Sequence, residues 1–557
     1  MADVSVEFDV AVPMRDGTVL RADVYRPAGD DECPVLLHRT PYNKSTWDGK
    51  SLIDPVELAR RGYIVVHQDC RGRDASDGLW LPWAHEELDG YDTVEWAAQL
   101  EGSNGRVGMV GASYTGNTQW KAAISRPPGL RAIAPMQTWS DPADGLMFRG
   151  GAIELGLNNF WTLGQAFGGV MKTRTGESLT DALETTLTDI NDLHRTGYWQ
   201  LPSGRPAVNS ATGQPDIGVA RALEDPGTLD ESRVLGNHDR VQVPSLSIAG
   251  WHDVFQQGTI DNYIKAREAG LTSRLIVGPW DHMTLYGHTL GLTGEVAYGF
   301  HSIAPGPQYA DLSDCLLTWF EPWLKDGAPT AEHESGVRIF VMGVNEWRDE
   351  SGWPLEREVP TPLYLSSDAS LSFDAPTLDE ASSSYTYDPT DPAITVGGPH
   401  FIDPHYARGP ADQRRVEERS DVLVFTSAPL EHDLELTGRV RASLFAATDG
   451  PSTDWVVRLC VVDGEGVSRN IVDGIVRTAT TPGLVMEHEI DLWSTSIVVA
   501  TGERLRVHVT SSNFPRWDRN LNTGEPNAEA TTHRVARQVV MHDRLHPSHL
   551  TLPVIPR

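Results

Sequence analysis

Short apolar runs alternate with helically spaced segments through the first 140 residues. Residues 34–39 and 63–69 are continuous apolar stretches of the kind buried on both faces, and 107–110 and 130–135 repeat the pattern. Between them, 55–61 suits a helix ended by Gly62, and 87–100 sets Leu88, Tyr91, Val94 and Trp96 at helical spacing. Ahead of these, residues 6–26 read as two strands about the turn Arg15-Asp16-Gly17, because Asp-Gly between alternating segments favours a hairpin. Strands alternating with helices predict a parallel α/β sheet.

The rhythm breaks at about residue 141. Gly-rich and polar-aromatic text such as Asn158-Asn159-Phe160-Trp161 precedes one helical segment at 179–194, and no buried strand stands out before residue 234. This predicts a helical insertion lying over the top of the sheet. Strand patterns resume at 244–250 and 274–278, separated by a helix at 256–269 and followed by an amphipathic helix at 311–325. From 337 onward the text is β-rich, with short runs at 337–342, 363–365, 422–425, 440–445, 455–462 and 505–509 between Gly, Pro and Asp clusters. That pattern predicts an all-β sandwich or jelly roll. The expected division is an α/β core at 1–140, a helical lid at 141–234, the rest of the core at 235–345, and a jelly-roll β domain at 346–557.

Composition narrows the function classes. A chain of 557 residues is too long for one core. Its net charge of −31 argues against nucleic acid and anionic membrane as partners. No apolar run approaches the roughly 18 residues that span a bilayer. The first residues lack the basic start and apolar centre of a signal peptide, so a cytoplasmic location is expected. Cys33, Cys70, Cys315 and Cys460 are far apart with no Cys-x-x-Cys pair, which points away from a metal site or a disulfide framework. No metal and no organic cofactor are expected.

The candidate chemistry centres on Gly111-Ala112-Ser113-Tyr114-Thr115-Gly116. An apolar strand, a small-residue turn carrying a serine and the start of a helix make the layout of a nucleophile elbow. A Gly-rich strand-to-helix turn with no catalytic role reads the same way from this stretch alone. The second glycine stands three residues after the serine, with Thr115 where the common lipase pattern has glycine. Two later strands favour the catalytic reading: Asp253 follows one in Gly250-Trp251-His252-Asp253, and His282 follows the next in Gly278-Pro279-Trp280-Asp281-His282. Serine, acid and histidine in that chain order, each after a strand, make the triad order of α/β-hydrolases. His282 would take the Ser113 proton, and Asp253 would hold the imidazole. Asp281 competes for the acid role, and His252 for the base role.

These blocks, with Arg39-Thr40-Pro41-Tyr42-Asn43-Lys44, Gln68-Asp69-Cys70-Arg71-Gly72, Val341-Met342-Gly343-Val344-Asn345-Glu346-Trp347-Arg348, Gly409-Pro410-Ala411-Asp412-Gln413-Arg414 and Ser511-Ser512-Asn513-Phe514-Pro515-Arg516, resemble the cocaine esterase-like (CocE/NonD), X-Pro dipeptidyl-peptidase-like serine hydrolases over nearly the whole chain. The resemblance implies an α/β-hydrolase core, an inserted helical lid and a C-terminal jelly roll. It implies an oxyanion hole made by the Tyr42 hydroxyl and the Tyr114 backbone N–H. Trp161 and Phe255 fall at pocket-lining places, and Phe401 of the β domain is a further candidate; each also suits ordinary core. The expected activity is carboxylic ester cleavage through an acyl-enzyme on a small-molecule substrate. Rival readings are an X-Pro dipeptidyl-peptidase, with Glu154 or Asp144 as an anchor for its free amino terminus, a β-lactam or amino-acid-ester acylase, and a non-catalytic carbohydrate-binding protein. The oligomeric state is left open, a homodimer included.

Overall fold

A computed structural model describes residues 3–29, 31–46, 54–286, 289–327, 329 and 336–556. Among these, ten strands form one sheet: β1 (Val4–Pro13), β2 (Val19–Pro27), β3 (Cys33–Thr40), β4 (Ile64–Asp69), β5 (Ser103–Ala112), β6 (Leu130–Met136), β7 (Ser245–Gly250), β8 (Ser273–Gly278), β9 (Val337–Val341) and β10 (Glu346–Glu350). Their order is β1-β2-β4-β3-β5-β6-β7-β8-β9-β10. Strands from β4 to β9 run parallel, while β1, β2 and β10 join antiparallel at the two ends.

The apolar runs explain why these strands are central. Alternate side chains face opposite layers, so a strand buried on both sides needs apolar residues at every position. Leu36, Val65, Val110 and Ile248 pack on one face with Leu312, Leu316, Trp319 and Phe320 of helix Leu312–Leu324. Val35, Leu37, Val66 and Met109 face the other way, against Val94 and Ala97 of helix Glu86–Ala98 and Trp120, Ala123 and Ile124 of helix Tyr114–Ser125. Each such side chain contributes roughly 1.5–3 kcal/mol when fully buried.

The strand Glu346–Glu350, assigned to the β domain by a boundary at 345, pairs antiparallel with Val337–Val341 and ends the first sheet. The hairpin turns at Gly343 and Asn345, both at positive φ. A second difference lies in the insertion. Besides the expected helix, observed at Gly176–Asp192, a longer one runs from Leu155 to Thr173 through the Gly-rich, polar-aromatic stretch that had shown no helical spacing. Its glycines and asparagines lower helix propensity. Burial decides instead, since Leu155, Leu157, Trp161 and Leu163 join one apolar cluster and Val170 is buried as well. Residues 148–149 and 152–153 also form a two-residue hairpin that the pattern did not suggest.

The remaining chain forms an eleven-stranded all-β sheet system among the described residues, with its own core around Leu363, Leu436, Trp455, Val457 and Val507. Several of its strands went unread because polar residues alternate along them. Met486–Val499 carries Glu487, Glu489 and Asp491, yet pairs along its whole length with Leu434–Thr448. The β domain is fastened to the insertion and to the core: Arg149 donates to the Asp473 carbonyl at 2.6 Å, and Ser494 N–H donates to Gln257 Oε1 at 3.0 Å.

Candidate active site

Because β3, β5, β7 and β8 are parallel, their C-terminal ends share one edge of the sheet. Tyr42, Ser113, Asp253 and His282 each follow one of these strands within a few residues. That edge is where open α/β sheets gather ligands.

Ser113 has φ 62° and ψ −123°, a strained conformation for a residue with a side chain. Of residues 107–124, Ser113 alone is not buried. The elbow is pinned around it: Ser113 N–H donates to the Met136 carbonyl at 2.9 Å, and the Gln119 amide to the Gly111 carbonyl at 3.0 Å. Gly111 stands at φ 147°, and a Cβ there would lie 2.2 Å from Thr115 Oγ1. Thr115 takes the place of the commoner glycine by donating its hydroxyl to the Ala112 carbonyl at 2.7 Å. The shifted Gly116 is where the helix comes close to its neighbour, a Cβ there meeting the Met136 carbonyl at 2.9 Å.

His282 Nδ1 lies 2.6 Å from Asp253 Oδ1. A carboxylate only accepts, so the hydrogen belongs on Nδ1 and the Nε2 lone pair is left for another proton. Asp253 is fully buried, and its second oxygen accepts the Phe255 N–H at 2.9 Å. The competitors are engaged elsewhere. Asp281 Oδ1 accepts from the Met283 and Thr284 N–H groups at 2.7 and 2.9 Å. His252 meets the Tyr298 hydroxyl at 2.9 Å, and burial pushes its imidazole down to about 4.

Tyr114 begins the helix after the elbow, so its backbone N–H has no partner within that helix. Its side chain is held by residues that pattern reading missed. The Tyr114 hydroxyl donates to Glu86 Oε1 at 2.8 Å and accepts from Trp83 N–H at 3.2 Å. Arg39 pairs with the other Glu86 oxygen at 2.9 Å, both groups buried. Removing one partner of such a pair typically costs about 3–5 kcal/mol, which makes this a rigid footing for the elbow. Burial, with the Glu86 charge adding, drives the Tyr114 hydroxyl well above its ordinary pKa, so it stays a donor.

Ser113 and His282 line a common cavity of about 310 Å³, together with Tyr42, Trp161, Phe255 and Phe401. Trp83, Trp139, Leu146, Leu157, Phe160 and Ile217 complete an apolar wall. Phe255 and Phe401 pack on His282 with tilted, T-shaped ring geometry, their centroids 5.3 and 5.0 Å away. Phe401 comes from a loop of the β domain, so that domain contributes to this wall as well. Among the described residues no Asp or Glu lines the cavity. Glu154 accepts instead from Trp517 Nε1 at 2.9 Å, and neither it nor Asp144 lines the cavity, so neither offers an amine anchor here.

Residues 16–284 match the family model described as X-Pro dipeptidyl-peptidase (S15 family), and residues 329–551 match its C-terminal non-catalytic domain. The chain is also 34% identical over 586 residues to the cocaine esterase of Rhodococcus sp. (strain MB1 Bresler), covering 99% of each chain. The chain belongs to the X-Pro dipeptidyl-peptidase S15 family. Among solved S15-like structures, an α-amino acid ester hydrolase superposes with a TM-score of 0.81 at 25% identity, covering 99% of this chain and 97% of that one. A CocE/NonD family hydrolase of Staphylococcus aureus, 19% identical, shares the fold with a TM-score of 0.70 over 100% of this chain and 97% of its own.

Within this S15 chain, the triad candidates could be placed from sequence because each closely follows a buried strand, whereas Tyr42 was singled out only by the family resemblance. Trp83 and Glu86 could not, since their signal is only a Trp-rich loop leading into a helix. Phe401 and Phe160, whose rings lie 5.4 Å apart, are separated by 241 positions in the chain, a contact that no local pattern reports.

Proposed function

We propose that the protein is a serine hydrolase that cleaves carboxylic esters through an acyl-enzyme, with Ser113 as nucleophile. His282 Nε2 takes the Ser113 proton as Oγ attacks the ester carbonyl, and returns it to the leaving alkoxide. Asp253 holds the imidazole tautomer and stabilises the imidazolium. The Tyr42 hydroxyl and Tyr114 N–H receive the oxyanion. A water then repeats the cycle on the acyl-enzyme. The observation that carries this reading is the 2.6 Å His282–Asp253 bond, made by a histidine that shares its cavity with the strained Ser113.

Ester specificity is supported by the cavity wall. A dipeptidyl-peptidase substrate brings a charged amino group, and burying it without a carboxylate partner is costly. The apolar wall suits a neutral ester with a bulky apolar acyl or alcohol part. The similar cocaine esterase and α-amino acid ester hydrolase support ester chemistry in this family. Small, neutral aryl and alkyl esters compared with matched amides and with amino-terminal X-Pro substrates test the proposal. Faster turnover of amides than of the matched esters would overturn it. A cytoplasmic setting belongs to the same proposal. It is supported by four cysteines that are all buried and unpaired, and no helix among the described residues is long and apolar enough to cross a membrane.

A further inference from the structure

Trp161 does more than line the cavity wall. Its indole Nε1–H donates to the Tyr42 hydroxyl oxygen at 3.2 Å, across 119 residues of chain. A phenol oxygen that accepts one hydrogen bond still has its own O–H to give. Accepting also polarises that O–H and makes it a stronger donor. The contact restricts the hydroxyl rotor as well, because the lone pair on the Trp161 side is occupied.

The helix Leu155–Thr173 that carries Trp161 is tied to the Tyr42 turn a second time. Arg73, a buried arginine, donates from Nε to the Pro41 carbonyl at 2.7 Å. Its other arm reaches Gln165 Oε1 at 3.1 Å, one turn beyond Trp161 on the same helix. The guanidinium lies 4.2 Å above the Trp80 ring, and Trp80 packs on Trp161 with centroids 5.6 Å apart. Gly168 leaves room for this arm, since a Cβ there would lie 2.6 Å from Arg73 Nη2. The Trp161 ring also lies nearly parallel to that of Tyr114, at 8° and 6.5 Å. One inserted helix therefore touches both residues that supply the oxyanion donors.

We propose that Trp161 is a positioning residue for the oxyanion hole, acting through Tyr42, so that the inserted helix completes the catalytic machinery as well as the pocket. The inference rests on the reading of Tyr42 as an oxyanion donor. Its distinguishing consequence is that the Trp161 N–H should matter only while the Tyr42 hydroxyl is present.

A double-mutant cycle tests this with kcat and KM on an activated aryl ester, folding being checked by thermal melts. Trp161→Phe keeps an aromatic wall and removes the N–H. Replacing Trp161 with benzothienylalanine keeps the bicyclic shape and exchanges N–H for sulfur, so a packing defect in the Phe variant does not blunt the test. The expected result for both is a kcat about three- to tenfold lower, the scale of one hydrogen bond, with KM within about twofold. In the Tyr42→Phe background the same replacements should cost nothing further in kcat. An undiminished loss in that background, or a change confined to KM, overturns the proposal and returns Trp161 to the pocket wall. If Tyr42→Phe alone leaves kcat unchanged, the oxyanion reading of Tyr42 falls and takes this inference with it.

Discussion

His282 donates its Nδ1 hydrogen to Asp253 over 2.6 Å, while Asp281, next to it in the chain, turns its carboxylate onto the Met283 and Thr284 N–H groups. The two aspartates therefore differ in what amidation would do. Asp253→Asn leaves a group that cannot fix the Nδ1–H tautomer, and kcat should fall by roughly 10⁴. Asp281→Asn keeps an oxygen able to accept the same two backbone hydrogens, and its kcat should stay within about tenfold of wild type. Steady-state kinetics on one aryl ester decides it, and a reversed order would assign the acid to Asp281.

Ser113→Ala should reduce ester turnover by about 10⁴-fold or more. It should also abolish covalent labelling by a fluorophosphonate. The backbone at φ 62° is held by the Met136 carbonyl and by the helix that follows, neither of which needs the hydroxyl. The melting temperature should therefore stay close to wild type. Labelling that persists in the variant would place the nucleophile elsewhere.

Tyr42→Phe removes one hydroxyl from a residue that lines the Ser113 cavity. An oxyanion donor is worth roughly 10²–10³ in kcat, and the loss should fall on kcat more than on KM because the bond strengthens as charge develops. A kcat within about threefold of wild type with an unchanged melt would mean that Tyr42 only packs.

Much of this arrangement was legible in the chain because of where the sheet buries its strands. Residues 35–37, 64–66 and 275–277 are apolar at every position since both faces are covered, and each such strand points its C-terminal turn at the same edge. A residue just after the strand is thereby placed to within a turn. The glycines of the elbow were readable for a different reason: the backbone there has no room for a side chain. The footing beneath the elbow was not readable. Glu86 is a helix residue among several acids, and only the fold reveals that Arg39 and Tyr114 converge on it. The helix from Leu155 to Thr173 was hidden by its own glycines, of which Gly156, Gly168 and Gly169 admit close neighbours. Phe401 reaches His282 from the β domain, so its role depends on how that domain docks on the α/β part.

Glu154 offers a test by pH. It sits at the start of that same helix, almost fully buried, with Oε1 accepting from Trp517 Nε1 at 2.9 Å. Burial pushes its carboxyl up to about 7, against the opposing pull of Arg516 and Arg149. The sign follows from proton counts. Below the ordinary glutamate range both the folded and unfolded chains hold the proton, and the site contributes its full stability. Between that range and about 7 the unfolded chain releases the proton while the folded chain keeps it, so stability falls as pH rises. Above about 7 the folded chain releases it too, and the loss is complete. Glu154→Gln keeps an oxygen for the Trp517 N–H and never titrates. Relative to wild type, the variant should therefore gain stability between pH 5 and pH 8, on the order of 2–3 kcal/mol at most. Urea unfolding of both proteins at the two pH values measures the difference. A wild-type-to-variant gap that does not change with pH would show that Glu154 is already ionised in the folded protein, held by Arg516 and Arg149.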